Sequence, residues 1–210
     1  MTKKTTLSST ERMEKIIETK QKFDKLITAD TIILFDMDGT LVDTNLANFL
    51  SYKNAIQIVT GLETDLSYNP DQRFNRSVLK KSIPNLFEVE YDKIIQEKER
   101  VYNNFLPETK LIKRVVDILL KYSKTNKTIL VTNCRKNRAL MTLNYFGITD
   151  KFSEIFYRQL NKNENKVNKY QNAINCLNIS TKNIIVFENE KLEIIDAIAA
   201  GIPIQNIINI

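Results

Sequence analysis

Three short, unbroken apolar runs punctuate the chain: Ile32-Ile33-Leu34-Phe35, Thr128-Ile129-Leu130-Val131 and Ile184-Ile185-Val186-Phe187. Successive strand residues point to opposite sides of a sheet, so a run with no polar side predicts a strand covered on both faces. Between and after these runs, apolar residues recur at helical spacing over about 108–122, 135–146, 167–177 and 191–200. Strand and helix in alternation predict an α/β core in three layers, with a parallel sheet between helices.

Two stretches depart from that alternation. Residues 8–27 read as one helix, with Ser8 and Glu11 at capping-box spacing and Met13, Ile16, Ile17, Phe23 and Ile27 on one face. Residues 45–107 show helical periodicity, a polar loop at Ser67-Tyr68-Asn69-Pro70-Asp71, a break at Pro84 and no buried strand. The expected organisation is an N-terminal helical extension over 1–29, a core formed by 30–44 and 108–210, and a helical insertion over 45–107.

Composition narrows the chemistry. The chain has 210 residues and no histidine, which removes Ser-His-Asp and Cys-His nucleophile systems and histidine-containing zinc sites. Catalysis would run on carboxylates, lysine, hydroxyls or a hard metal ion. Cys134 and Cys176 have no metal-ligand spacing, which favours a reducing, cytoplasmic setting over a disulfide framework. A cysteine-phosphatase loop would need arginine where Leu140 stands, six positions after Cys134. No segment is apolar enough to suggest a membrane span, and the N-terminus lacks an apolar signal core. The formal charge of +6 comes from lysines interleaved with acids and no nucleic-acid-binding motif, which reads as a solvated lysine-rich surface; neither nucleic acid nor membrane is expected as partner. Arg73, Arg76 and Lys80 have the spacing of one helical face, a candidate reader of a second anionic group.

The apolar runs end in Asp36, Thr132 and Glu188. In a parallel sheet such carboxyl ends meet at one edge, where ligands bind. Asp36 and Asp38 lie two residues apart, on one side of the chain while it stays extended. Two carboxylates that close repel unless a cation lies between them or one keeps a proton. Gly39 then allows a sharp turn that frees backbone amides to face an anion.

The segment Phe35-Asp36-Met37-Asp38-Gly39-Thr40-Leu41-Val42-Asp43-Thr44 resembles the first motif of the haloacid dehalogenase-like hydrolases, their phosphatase and beta-phosphoglucomutase-like branch in particular. The likeness runs from about residue 32 to 203. It implies a Rossmann-like core with an inserted helical cap, Asp36 as nucleophile and Asp38 as acid and base. It also implies that Thr132 and Asn133 hold phosphoryl oxygens and that a lysine neutralises the nucleophile. Lys166 is the first choice for that lysine, Lys169 the second and Lys162 the third, because the usual Pro-containing motif is absent. The matching metal ligands are Asp36, the main-chain carbonyl of Asp38, Glu188 and Asn189, an oxygen set suited to Mg2+. Asn189 stands where the family usually has aspartate, with Glu190 or Glu193 able to compensate. Asp43 matches a position that supports the turn.

The function these features imply is Mg2+-dependent hydrolysis of a small phosphomonoester, a phosphorylated metabolite, through an aspartyl-phosphate. A sugar-phosphate mutase of the same family, or a binding module that has lost turnover, would carry the same motifs.

Overall fold

The computed structural model describes residues 26–161 and 166–210. The helix expected over 8–27 therefore lies almost wholly outside the described residues. Strands β1 (Ile32–Phe35), β4 (Lys127–Val131), β5 (Glu154–Phe156), β6 (Ile184–Glu188) and β7 (Ile207–Asn209) form one parallel sheet in the order β5-β4-β1-β6-β7. Its three central members are the three apolar runs. Both faces of β1 are buried: Ile33 and Phe35 enter one cluster with Val116 and Leu119, and Leu34 enters another with Tyr170 and Ile174. Helices α4 (Lys113–Tyr122) and α5 (Lys136–Tyr145) cover the first face, while α6 (Lys169–Leu177) and α7 (Lys191–Ala199) cover the second. Phe35 stacks on Phe187 across the β1–β6 pair with ring centroids 5.0 Å apart.

The chain leaves this core through β2 (Val42–Asp43) and returns through β3 (Lys110–Leu111), which pair antiparallel. Between them lie α1 (Asn45–Thr60), α2 (Arg76–Ser82), α3 (Glu88–Val101) and a 3-10 segment, Tyr102–Glu108. These helices bury their own cluster, including Phe49, Tyr52, Ile56, Phe74, Leu79, Tyr91 and Ile94. The buried Asn48 amide ties α1 to the loop before α2 by donating to the Phe74 carbonyl at 2.5 Å.

The sequence reading needs four corrections here. The helix expected from 108 begins at Lys113, because the 3-10 segment and β3 use the residues before it. β5 and β7 were not expected; each is a three-residue edge strand. The β2–β3 ribbon, two residues on each side, also went unseen. Arg73 does not share a helix with Arg76 and Lys80, since α2 starts at Arg76 behind an Asn75 cap.

Candidate active site

Asp36 continues β1 by one residue, its amide donating to the Phe187 carbonyl of β6 at 3.1 Å. The chain then turns: the amides of Leu41 and Val42 both donate to the Met37 carbonyl at 3.0 Å. Gly39 takes φ +86° in this turn, and a Cβ there would fall against the Asn189 amide closer than real contacts allow. Glycine is required on both counts.

Lys169 lies at the centre of the site. Its ammonium, almost fully buried, donates to Asp36 Oδ1 at 2.7 Å and to Glu188 Oε2 at 2.8 Å, with Glu193 Oε2 at 3.5 Å. Burial alone would lower the Lys169 pKa, but Asp36, Glu188 and Glu193 outweigh it and hold the ammonium above its usual range. Burial pushes the Asp36 carboxyl up to about 8 against the pull of Lys169, and Glu188 adds to the rise. Glu188 is saturated: the amides of Asn189 and Glu190 donate to Oε1 at 2.8 and 3.0 Å, and the Tyr170 hydroxyl joins Lys169 on Oε2 at 2.6 Å.

Local sequence explains why Lys169 takes this place and Lys166 does not. Asn168 caps α6, accepting from the amides of Tyr170 and Gln171 at 3.0 and 3.1 Å, so the helix begins at Lys169. Tyr170, Ala173 and Ile174 then face the sheet, with Lys169 on the buried stripe beside them. Lys166 precedes the helix and pairs with Glu193 and, at 3.7 Å, with Asp196. The structure thus brings Lys169, the second choice made from sequence, onto Asp36, and places Lys166, the first choice, on Glu193. The usable signal was the Asn168 cap followed by Lys169 and Ala173 at i, i+4 spacing. Lys162 lies outside the described residues.

Asp38 is held differently. Thr44 Oγ1 donates to its Oδ1 at 2.5 Å, and Arg73 Nη2 and Arg138 Nη1 approach the same oxygen at 3.2 and 3.3 Å. Burial would raise its pKa, but Arg138, Arg73 and the Thr44 hydroxyl together hold it well below the usual carboxylate range. Arg73 comes from the helical layer and Arg138 from α5, so this carboxylate joins the two layers. Neither arginine was assigned this place from sequence, where Arg73 was grouped with Arg76 and Lys80. Those two are occupied elsewhere, by Glu88 and Asp92.

The remaining candidates make contacts of their own. Thr132, buried at the end of β4, accepts from the Cys134 amide at 3.1 Å, leaving its hydroxyl proton to donate. Asn133 donates to Glu193 Oε2 at 2.8 Å. Glu193 is therefore shared among Asn133, Lys166 and Lys169 and is not a free acid. Asp43 accepts from the Asn45 amide at 3.0 Å, a local turn contact.

The oxygen donors suit a hard divalent cation. Among the described residues no three acidic or thiol side chains form a ready-made cluster. Main-chain and amide oxygens would have to contribute. With its oxygen turned inward, the Asn189 amide accepts from the Thr40 hydroxyl at 3.0 Å and faces the Asp38 carbonyl and Glu188 Oε1 at 3.2 and 3.3 Å with no donor between them. Turned over, its nitrogen donates to all three. The first orientation is the donor set that a cation would relieve, and the second satisfies the same atoms by hydrogen bonds alone.

The candidate site is therefore a turn carrying Asp36 and Asp38 at the end of a parallel sheet, with the buried Lys169 donating to Asp36. The family follows from direct comparison. The model of the haloacid dehalogenase-like hydrolases matches residues 33–207, and the chain belongs to that family. Among solved structures, it is similar to a predicted phosphoglycolate phosphatase from Haemophilus somnus 129pt, with a TM-score of 0.68 at 21% identity over 87% of this chain and 86% of that one. CbbY from Rhodobacter sphaeroides, solved in complex with phosphate, matches with a TM-score of 0.68 at 15% identity over 82% and 84% of the two chains. A haloacid dehalogenase-like hydrolase from Streptococcus pneumoniae gives 0.66 at 18% identity over 84% and 83%. At these identities the structural likeness establishes the fold.

Proposed function

We propose that the chain is a phosphatase acting on a small phosphomonoester, with Asp36 as nucleophile. The observation that carries this reading is the buried Lys169 between Asp36 and Glu188, with the Asp38 carboxylate beside them on the same turn. The residues 45–107 act as a cap over the site. The phosphate in the CbbY structure, and the activity in the name of the Haemophilus somnus protein, support a phosphoryl substrate.

In the first step an Asp36 oxygen attacks phosphorus, and the bond from phosphorus to the leaving oxygen breaks. The leaving oxygen keeps the electron pair and takes a proton from Asp38. Asp38 then accepts a proton from water as that water attacks phosphorus, and the bond to Asp36 breaks with its electron pair returning to the carboxylate. Asp38 is clamped by Arg73, Arg138 and Thr44, which hold its carboxyl well below the usual carboxylate range. To serve as acid it must turn away from the arginines and gain a proton, which couples the reaction to the position of the helical layer. Lys169 and the Thr132 hydroxyl hold phosphoryl oxygens and offset charge on them. Mg2+, when bound by Asp36, the Asp38 carbonyl and Asn189, supplies further charge neutralisation for the phosphoryl group. Glu188 would join that set only by giving up one of its present donors.

The test of the covalent step is acid-quench mass spectrometry after mixing with a reactive phosphoryl donor such as acetyl phosphate. One added phosphoryl group on the peptide containing Asp36 is expected. An adduct on any other residue would contradict the assignment.

A further inference from the structure

A cavity of about 390 Å³ opens where the helical layer meets the core. Glu99 and Arg100 of α3 form one wall; Arg135, Lys136 and Arg138, at the start of α5, form the other. Four lining residues are cationic and one is acidic. The acid is already used, since Lys98 Nζ donates to Glu99 Oε1 at 3.1 Å and Arg138 Nε lies 3.4 Å from Oε2. Arg100 is held by Glu97 at 2.8 and 3.0 Å. The Arg135 side chain is exposed and makes no hydrogen bond or ion pair among the described residues, while its carbonyl accepts from the Ala139 amide at 3.0 Å. Arg138 is buried, and its Nε, facing Glu99 Oε2 at 3.4 Å, makes no well-formed hydrogen bond. A buried guanidinium N–H satisfied only by a long ion pair has room for a closer acceptor from a ligand.

This cavity adjoins the reaction site. Arg138 lines it and also holds Asp38 at 3.3 Å, and Arg135 follows directly on Thr132-Asn133-Cys134. The charge balance there changes during the reaction just described. Once Asp38 turns away to protonate a leaving oxygen, Arg73 and Arg138 lose the carboxylate that neutralised them. A neutral leaving group would leave both guanidinium groups uncompensated in a largely buried place. An anionic one would take over from Asp38.

We propose that the cavity receives the leaving portion of the substrate, and that this portion carries a second anionic group, carboxylate or phosphate, held by Arg135 and Arg138. The proposal deepens the phosphatase reading and rests on it for the word "leaving". Anion binding in the cavity can be tested without turnover.

The probes are two matched pairs: ethyl phosphate with phosphoglycolate, and propyl phosphate with propanediol bisphosphate. Each would be titrated by calorimetry into the native chain with a chelator present to prevent turnover. The doubly anionic member of at least one pair is expected to bind about tenfold tighter or more, the size of a charge-assisted contact. The pair showing the larger gain identifies carboxylate or phosphate as the anion. Arg135→Gln, an exposed substitution that spares the core, is expected to remove most of that gain. Equal binding within both pairs would overturn the proposal, and so would a preference that Arg135→Gln leaves intact. Phosphate release with Mg2+ is measured separately on the same four compounds plus a wider panel. Its complete absence would count against the phosphatase reading, while the binding comparison would still decide whether the cavity selects a second anion.

Discussion

Asp36 and Glu188 end neighbouring strands of a parallel sheet, and two buried carboxylates cannot both ionise there without a cation close by. Lys169 is that cation, and at the residue scale it is also where the sequence was hardest to read. Asp36, Asp38, Thr132 and Glu188 are legible because each ends an apolar run or lies on the turn that follows. The lysine is not, because Lys162, Lys166 and Lys169 share one Asn-rich stretch and the side chain of Asn168 decides where the helix begins. Arg73 and Arg138 were hidden for a similar reason: their meeting at Asp38 spans sequence separations that no local pattern records. The two lysines should separate in experiment. Lys169→Met is expected to lower kcat by about a hundredfold or more, the usual cost of losing a transition-state charge partner. Lys166→Met, which removes a half-exposed pair with Glu193, is expected to cost less than about tenfold. Parallel phosphate-release assays on both variants, with melting curves to confirm folding, check the ranking; the reverse order would return Lys166 to the centre.

At the scale of elements, unbroken apolar runs identified the strands buried on both faces, and helical spacing identified the helices that cover them. β5 and β7 escaped because three-residue edge strands are set by their neighbours more than by their own pattern. Leu34 measures the central strand directly, being fully buried between α6, α7 and the adjoining strands. Leu34→Ala is expected to cost about 2–5 kcal/mol in urea unfolding, transfer and cavity effects together. In the helical layer, Lys98 of α3 is a buried cation whose pKa is lowered to about 8, chiefly by burial and then by Arg138. The unfolded chain binds this proton more tightly, so Lys98 destabilises the fold at neutral pH, and that cost fades as pH rises from about 8 towards the unfolded value of about 10.4. The stability of Lys98→Met relative to the native chain should therefore decline over that window. A difference that stays flat across it would show that Lys98 does not titrate there.

At the scale of the whole molecule, two hydrophobic units meet at a narrow ribbon. β2 and β3 carry the chain out of the core and back, and Asp38 bonds to both layers through Arg138 and Arg73. A displacement of the helical layer would remove Arg73 from Asp38 and leave Arg138 of the core in place. Sequence periodicity led to the expectation of a helical insertion, and three helices lie between β2 and β3. It could not show which of its faces meets the core, because that depends on contacts such as the one between Arg73 and Asp38. On the proposed reading this assembly transfers a phosphoryl group to Asp36 and on to water. Its most direct test is phosphate release from a broad panel of phosphomonoesters, with and without Mg2+, for the native chain beside Asp36→Asn. Mg2+-dependent release from at least one ester is expected, lost in the variant although it still folds. Release that persists in Asp36→Asn would contradict that reading.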